Sequence, residues 1–216
     1  MMNMKNNDLP KKIPVFPLSN FIIFPKTTVP LNIFEPRYIQ MVDDSMRSNR
    51  YIGMIQPKKT GDLKKPDLHK IGCVGKITSF NETGDGRYLI VLSGICRYEI
   101  ISEISSNKLY RECEVGFKNF TKDLIEEKEQ LNFSDLKQIF NDLKKLFEQQ
   151  GYQINWKDLE NQSVEQTINT LSMASPFSLE EKQILLETKN LTERKKRLEE
   201  ILITYNNFSF TNKTIQ

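Results

Sequence analysis

The stretch IPVFPLSNFIIFPKTTVPLNIFEPRY, residues 13–38, decides the fold. Prolines stand at Pro14, Pro17, Pro25, Pro30 and Pro36. Proline fixes φ and removes a backbone donor, which excludes it from helix interiors and central ladder positions. Between the prolines lie β-branched and aromatic residues, among them Val15, Phe16, Ile22, Ile23, Phe24, Val29, Ile33 and Phe34. That mixture predicts short extended segments broken by turns, with Pro at strand starts or edges. So much apolar surface cannot stay in water, so other strands must close over it.

Downstream, the chain supplies those strands. Glu35 to Arg47 predicts a helix, with Pro36 in its first turn and Tyr38, Met41, Val42 and Ser45 on one face. Tyr51 to Gln56 predicts a strand. Residues 57–70 (PKKTGDLKKPDLHK) are polar and predict a surface loop. Ile71 to Phe80 is a strand interrupted by Gly72 and Gly75, as at a barrel corner. The run NETGDG, residues 81–86, closes a hairpin onto Arg87 to Leu92, which is apolar on both faces and therefore central. Two alternating strands follow. In Cys96 to Ile104, Cys96, Tyr98 and Ile100 point inward and Arg97 and Glu99 outward, and Arg111 to Phe117 alternates likewise.

The period then changes. Leu136, Ile139, Phe140, Leu143, Leu146 and Phe147 recur at three and four, and Gly151 stops that helix. Capping boxes at Ser163–Gln166 and Ser178–Glu181 start two more helices. Leu191, Leu198, Ile201, Leu202 and Tyr205 mark a last one. Arg194 falls in that apolar stripe, where a charge must be paired. The expected structural pair is Arg194 with Glu187, or with Glu181, of the preceding helix.

Several segments, in this order, resemble the N-terminal domain of Lon proteases, above all free-standing bacterial proteins that carry the LON domain alone. They are Pro14-Val15-Phe16-Pro17-Leu18, Phe24-Pro25, Pro30-Leu31 and Ile33-Phe34-Glu35-Pro36-Arg37-Tyr38. Ile71-Gly72-Cys73-Val74-Gly75-Lys76-Ile77, Asp85-Gly86-Arg87-Tyr88 and Gly94-Ile95-Cys96-Arg97-Tyr98 continue the match. Glu181-Lys182-Gln183-Ile184-Leu185-Leu186-Glu187 ends it. The resemblance implies an α+β fold: an N-terminal PUA-like β pseudobarrel with one or two short helices, then a C-terminal four-helix lobe. The expected boundaries are a disordered tail over 1–12, the β-rich barrel over 13–120, the helical lobe over 121–205 and a frayed tail over 206–216.

Composition and missing motifs bound the function. A net charge of +3 is too small to imply nucleic acid by itself. No apolar run reaches membrane-helix length, and MMNMKNNDLPKK at the start lacks a secretory apolar core, so a cytoplasmic location is expected. Cys73, Cys96 and Cys113 are widely spaced, which argues against a zinc site with His69, and Cys96 and Cys113 read as small core residues on their strands. That lone histidine has no supporting Ser-His-Asp motif, and Gly75-Lys76-Ile77 lacks the parts of a phosphate loop. No catalytic residue, metal site or cofactor is therefore assigned, and the chain is read as no enzyme.

The resemblance implies instead a non-catalytic module engaging unfolded or degron-bearing polypeptide, or an adaptor to a protease or chaperone. Its candidate peptide-binding residues are Phe24, Phe34, Arg37, Tyr38, Met41 and Met54, with Phe21 beside them. Glu35, Arg37 and Arg97 read either as a polar anchor for peptide or as braces of the scaffold. The alternative is an RNA-binding PUA-like module. Its only dense basic set is Lys58, Lys59, Lys64, Lys65 and Lys70, with no aromatics interleaved.

Overall fold

In the computed structural model the described residues are 9–62, 65–125, 131–151, 156, 159 and 161–211. The chain divides into two compact units, Met1–Glu126 and Glu127–Gln216. The tails expected at 1–12 and 206–216 lie in part outside the described residues. Within them, Leu9 is buried and the last helix runs on to Thr211.

The first unit is built on β1 (Lys12–Pro17), β2 (Thr28–Ile33), α1 (Pro36–Met46), β3 (Tyr51–Ile55), β4 (Pro57–Asp62), β5 (Lys65–Leu68), β6 (Ile71–Glu82), β7 (Tyr88–Ile104) and β8 (Arg111–Gly116). The main sheet has the order β2-β7-β6-β3-β1-β8. Because β8 also pairs with β7, the strands β7, β6, β3, β1 and β8 close on themselves as a small barrel. β1 and β3 run parallel, while the other pairs are antiparallel. β2 is left outside the ring, on the N-terminal half of β7.

One side chain fills the centre of this ring. Tyr98 is fully buried, and its hydroxyl donates to the Met54 carbonyl at 3.2 Å. The strands can approach its ring because Gly53 and Gly72 stand beneath it. A Cβ at Gly72 would lie 2.6 Å from the Tyr98 hydroxyl oxygen, and one at Gly53 would lie 2.8 Å away. Ile13, Val15, Val74, Cys96, Cys113 and Val115 complete the core around it. The cysteines are free and buried, as small core residues should be.

Three expectations for this unit are corrected. Within the expected loop 57–70, Pro57–Asp62 and Lys65–Leu68 pair as the two-stranded β4–β5 ribbon. Its Pro, Lys and Gly content hid the pairing because neither strand has an apolar face to bury. The strands expected at 87–92 and 96–104 are a single strand of 17 residues. Ser93-Gly94 looks like a break, but Gly94 is there because a Cβ would collide with the Phe24 carbonyl oxygen.

Arg97, expected to face outward, is buried. Register shifts between Val74 and Gly75 and between Ile100 and Ser102 interrupt the alternation. A 3₁₀ segment, Lys118–Leu124, covers the outer face of β7 at this point. Its Asp123 accepts from Arg97 Nε at 2.8 Å, from Nη2 at 2.7 Å and from the Arg97 backbone N–H at 2.9 Å. The guanidinium lies 4.5 Å from the Phe120 ring centroid. Arg97 therefore braces the scaffold, the second of the two roles weighed for it.

The second unit holds a 3₁₀ turn, Phe133–Leu136, and four α-helices among its described residues: α2 (Lys137–Gln149), α3 (Val164–Ala174), α4 (Leu179–Glu187) and α5 (Leu191–Thr211). Leu136, Ile139, Leu143, Leu146 and Phe147 are buried along α2, and Gly151 follows it at φ +75°. The Ser163 side chain accepts from the Gln166 N–H at the start of α3. Ser178 and Glu181 make the full reciprocal box at α4. Arg194 is buried as its place in the stripe requires. It donates to the Leu185 carbonyl at 2.9 Å and to Asn169 Oδ1. Glu187 accepts from Gln183 Nε2 at 2.7 Å, and Glu181 from the Tyr205 hydroxyl at 2.9 Å.

Candidate functional site

The site begins with a strand that the barrel leaves at its edge. β2 pairs only with β7. The Thr27 carbonyl accepts from the Gly94 N–H at 2.8 Å, so the antiparallel alternation turns the backbone of 29, 31 and 33 toward β7 and that of 28, 30 and 32 away. Pro30 sits on the outward set, where its missing donor costs the ladder nothing. Along the strand Val29 and Ile33 are buried while Thr28, Pro30 and Asn32 are exposed.

The chain enters β2 through a tight turn. Thr27 N–H donates to the Phe24 carbonyl at 3.3 Å, and the Thr27 hydroxyl donates to the same carbonyl at 2.7 Å. Pro25 presets the first central φ and Lys26 takes the second at +60°, as in a type II turn. This turn fixes Phe24 in the core at full burial.

Beside β2 lies an apolar cleft of about 470 Å³. Phe16, Phe21, Val29, Ile33, Phe34 and Tyr38 line it, and Asn20, Asn32 and Glu35 edge it. Phe16 and Tyr38 stack with centroids 4.2 Å apart at 50°. Burial pushes the Tyr38 phenol above its ordinary range, and Arg37 beside it acts in the opposite sense. The Arg37 guanidinium lies 4.5 Å from the Tyr38 ring centroid and is held by Glu35 at 2.7 Å. Phe34 is 63% exposed, and the Arg87 guanidinium stands 5.9 Å from its ring centroid.

The six candidate residues thus divide. Phe34, Arg37 and Tyr38 lie at the cleft or on its rim. Phe24, Met41 and Met54 are packed in the core, so their side chains are not presented to a ligand in this conformation. All but Arg37 are apolar or aromatic residues in β- or helix-forming surroundings, and only the three-dimensional packing separates them. The walls contributed by Phe16, Val29 and Ile33 carry no local signal beyond their apolar character. Of the lysines weighed for RNA, Lys58, Lys59, Lys65 and Lys70 are on or beside the β4–β5 ribbon. Lys65 is paired with Glu103 at 3.0 Å, and Lys64 lies outside the described residues.

Residues 12–204 match the family described as the ATP-dependent protease La (LON) substrate-binding domain. The chain belongs to this LON substrate-binding family. It is 29% identical over 202 residues to a Lon protease of Flavobacterium johnsoniae, a match covering 88% of this chain and 24% of that protein. It is 24% identical over 200 residues to a Lon protease of Desulfosudis oleivorans, covering 91% of this chain and 24% of that protein. The chain therefore spans about a quarter of the length of the curated relatives it matches.

The fold recurs in a Lon N-terminal domain protein of Xanthomonas campestris, with a TM-score of 0.61 and 21% identity over 89% of this chain and 97% of that one. It recurs too in the N-terminal domain of a Mycobacterium avium complex Lon protease, with a TM-score of 0.64 and 18% identity over 89% of this chain and 98% of that one. Among the described residues no helix is long and apolar enough to cross a membrane.

Proposed function

We propose that this LON-family chain is a non-catalytic polypeptide-binding module whose working surface is the cleft beside β2. The observation that carries this reading is an apolar cleft running along β2, the strand of the main sheet left outside the closed ring, with Phe34 exposed at its mouth. An extended segment laid on this edge meets backbone donors at Thr28 and Asn32 and only an acceptor at Pro30. Its alternate side chains reach the Phe16–Tyr38 floor. Main-chain bonds and a permissive apolar slot suit unfolded or degron-bearing clients of varied sequence. Delivery of such clients to a protease or chaperone is the adaptor form of the same activity.

The test is binding of a labelled, permanently unfolded polypeptide to the purified chain, with cellular RNA as competitor, at low and at physiological salt. Salt-resistant capture is expected, and Phe34→Ala should weaken it about tenfold, the effect of removing one well-placed aromatic anchor. Salt-sensitive capture of RNA alone would overturn the reading.

A further inference from the structure

The helical unit holds a second groove, of about 600 Å³, between α2 and Trp156. Phe133, Lys137, Phe140, Asn141, Lys144 and Trp156 line it. Its floor is aromatic: the Trp156 ring meets Phe140 and Phe147 edge-on, each with centroids 6.0 Å apart. Phe133 is an exposed large apolar side chain at one end.

Its charge is one-sided. Lys137 and Lys144 sit seven residues apart on one side of α2, about 10.5 Å along the axis at about 1.5 Å per residue. Both are exposed, and among the described residues neither side chain makes an ion pair or hydrogen bond. Lys195 and Arg197, by contrast, are paired on their own helix, with Glu199 and Glu200, each at 2.7 Å. Two of the nearby carboxylates are committed elsewhere. Asp142 is buried and accepts from Gln138 at 2.9 Å, and Asp135 caps the Asn132 N–H at 2.8 Å. Among the described residues that line it, the groove thus presents an aromatic floor and two charged side chains, both positive.

We propose that this groove docks an acidic amphipathic segment of a partner protein, with two carboxylates two helical turns apart over Lys137 and Lys144 and bulky apolar side chains against Phe140 and Trp156. Two carboxylates at that spacing match the lysines, and apolar residues three and four positions on fill the floor between them. The site is separate from the cleft beside β2, and its partner differs in kind. The cleft takes apolar extended chain, whereas the groove selects by charge.

Trp156 is the chain's only tryptophan, so its emission reports occupancy of the groove directly. The experiment titrates the full chain with a helical peptide carrying two glutamates seven residues apart and leucine or phenylalanine between them. A twin peptide carries glutamine in place of both acids. The acidic peptide should shift Trp156 emission and bind about tenfold more tightly than its twin, with the difference shrinking as salt rises. Lys137→Glu with Lys144→Glu should abolish binding of the acidic peptide and admit a version with lysines at the same positions. Both substitutions are on the surface, so that gain of the reversed peptide also certifies the fold. Phe34→Ala should leave the titration unchanged, which separates this proposal from the cleft reading. Equal affinity for the two peptides would overturn it, as would loss of binding without rescue by the reversed one. Tighter binding of a short oligouridine RNA through the same lysines would replace the partner with single-stranded nucleic acid.

Discussion

The barrel unit and the helical unit keep their cores in order by different means. The barrel depends on close approach and on buried polar contacts between residues far apart in sequence. Tyr98 fits only because Gly53 and Gly72 lack side chains, and Arg97 is buried only because Asp123 meets it. The helical unit depends on apolar stripes along α2 to α5, on caps at their starts, and on the buried Arg194 and Asp142. The first arrangement specifies one geometry sharply and fails sharply. The second spreads its stability over many replaceable contacts.

The largest expected effect follows from the barrel's pair. Asp123→Ala leaves the Arg97 guanidinium buried with its principal acceptor removed. The cost of breaking such a pair from one side is about 3–5 kcal/mol. Urea unfolding read through the near-ultraviolet signal of the barrel tyrosines should show that loss. Trp156 emission, recorded in the same titration, follows the helical unit. Transitions that separate would sharpen the contrast between the units. A common shift of both by the same amount would break it.

The equivalent change in the helical unit is smaller. Arg194→Ala removes the donor to the Leu185 carbonyl and to Asn169, both buried. The Leu185 carbonyl keeps the Thr188 hydroxyl at 2.8 Å, so the main loss is the donor to Asn169 Oδ1, about 1–3 kcal/mol. We propose Glu187 as the counter-charge of Arg194, although Glu187 itself is exposed. Glu187→Gln should therefore cost no more than about 1 kcal/mol, as exposed partners do. A loss from Glu187→Gln as large as that from Arg194→Ala would mean that Asn169 and the Leu185 carbonyl contribute little.

The two units also differ in how far their sequences could be read. Helical period and caps are local, so Gly151, the Ser163 and Ser178 caps and the buried faces of α1 and α2 were legible from spacing alone. In α1 the face Tyr38, Met41, Val42 and Ser45 is the buried one, as its spacing requires. Arg97 was illegible because the residue that makes its burial tolerable lies 26 positions away. Gly94 looked like a strand break because the carbonyl it accommodates belongs to Phe24. Part of the candidate site was legible for the same local reasons, since the proline pattern marks β2 as an edge strand. Which aromatic side chains face the cleft was not. Phe24 and Phe34 belong to the same stretch, yet the first is fully buried and the second is 63% exposed. The turn at Thr27 and the stagger of β2 on β7 separate them, and neither has a signature in composition.

A pH dependence distinguishes the units next. Burial pushes the Cys113 thiol up to about 11, and pushes the Cys96 thiol higher still. A thiol with a raised value in the fold supports the folded state fully below its ordinary value near 9.0. That support is lost as pH rises from there through about 11, because the unfolded thiol ionises first. All three cysteines lie in the barrel unit. The barrel should therefore begin to weaken from about pH 9, ahead of the helical unit, whose Tyr205 phenol, pushed up to about 12 by burial, withdraws support only from about pH 10. At neutral pH a thiol reagent should react only as fast as the barrel opens. Rapid labelling of the native chain would show that the ring of strands is looser than its packing implies.

The smallest expected effect on stability is the most useful for function. Phe34 is a large apolar side chain that the fold does not consume: its ring stands at the cleft mouth, with Arg87 as its near neighbour. Phe34→Ala should change stability by less than about 0.5 kcal/mol, the usual range for an exposed position. Truncation of Phe16, buried on the cleft floor against Tyr38, should cost about 3–5 kcal/mol. If Phe34→Ala weakens capture of unfolded polypeptide about tenfold with the melting curve unmoved, the side chain is held at the surface for a ligand. If it lowers the melting curve as Phe16→Ala does, Phe34 belongs to the core in solution, and the cleft loses the anchor on which its reading depends.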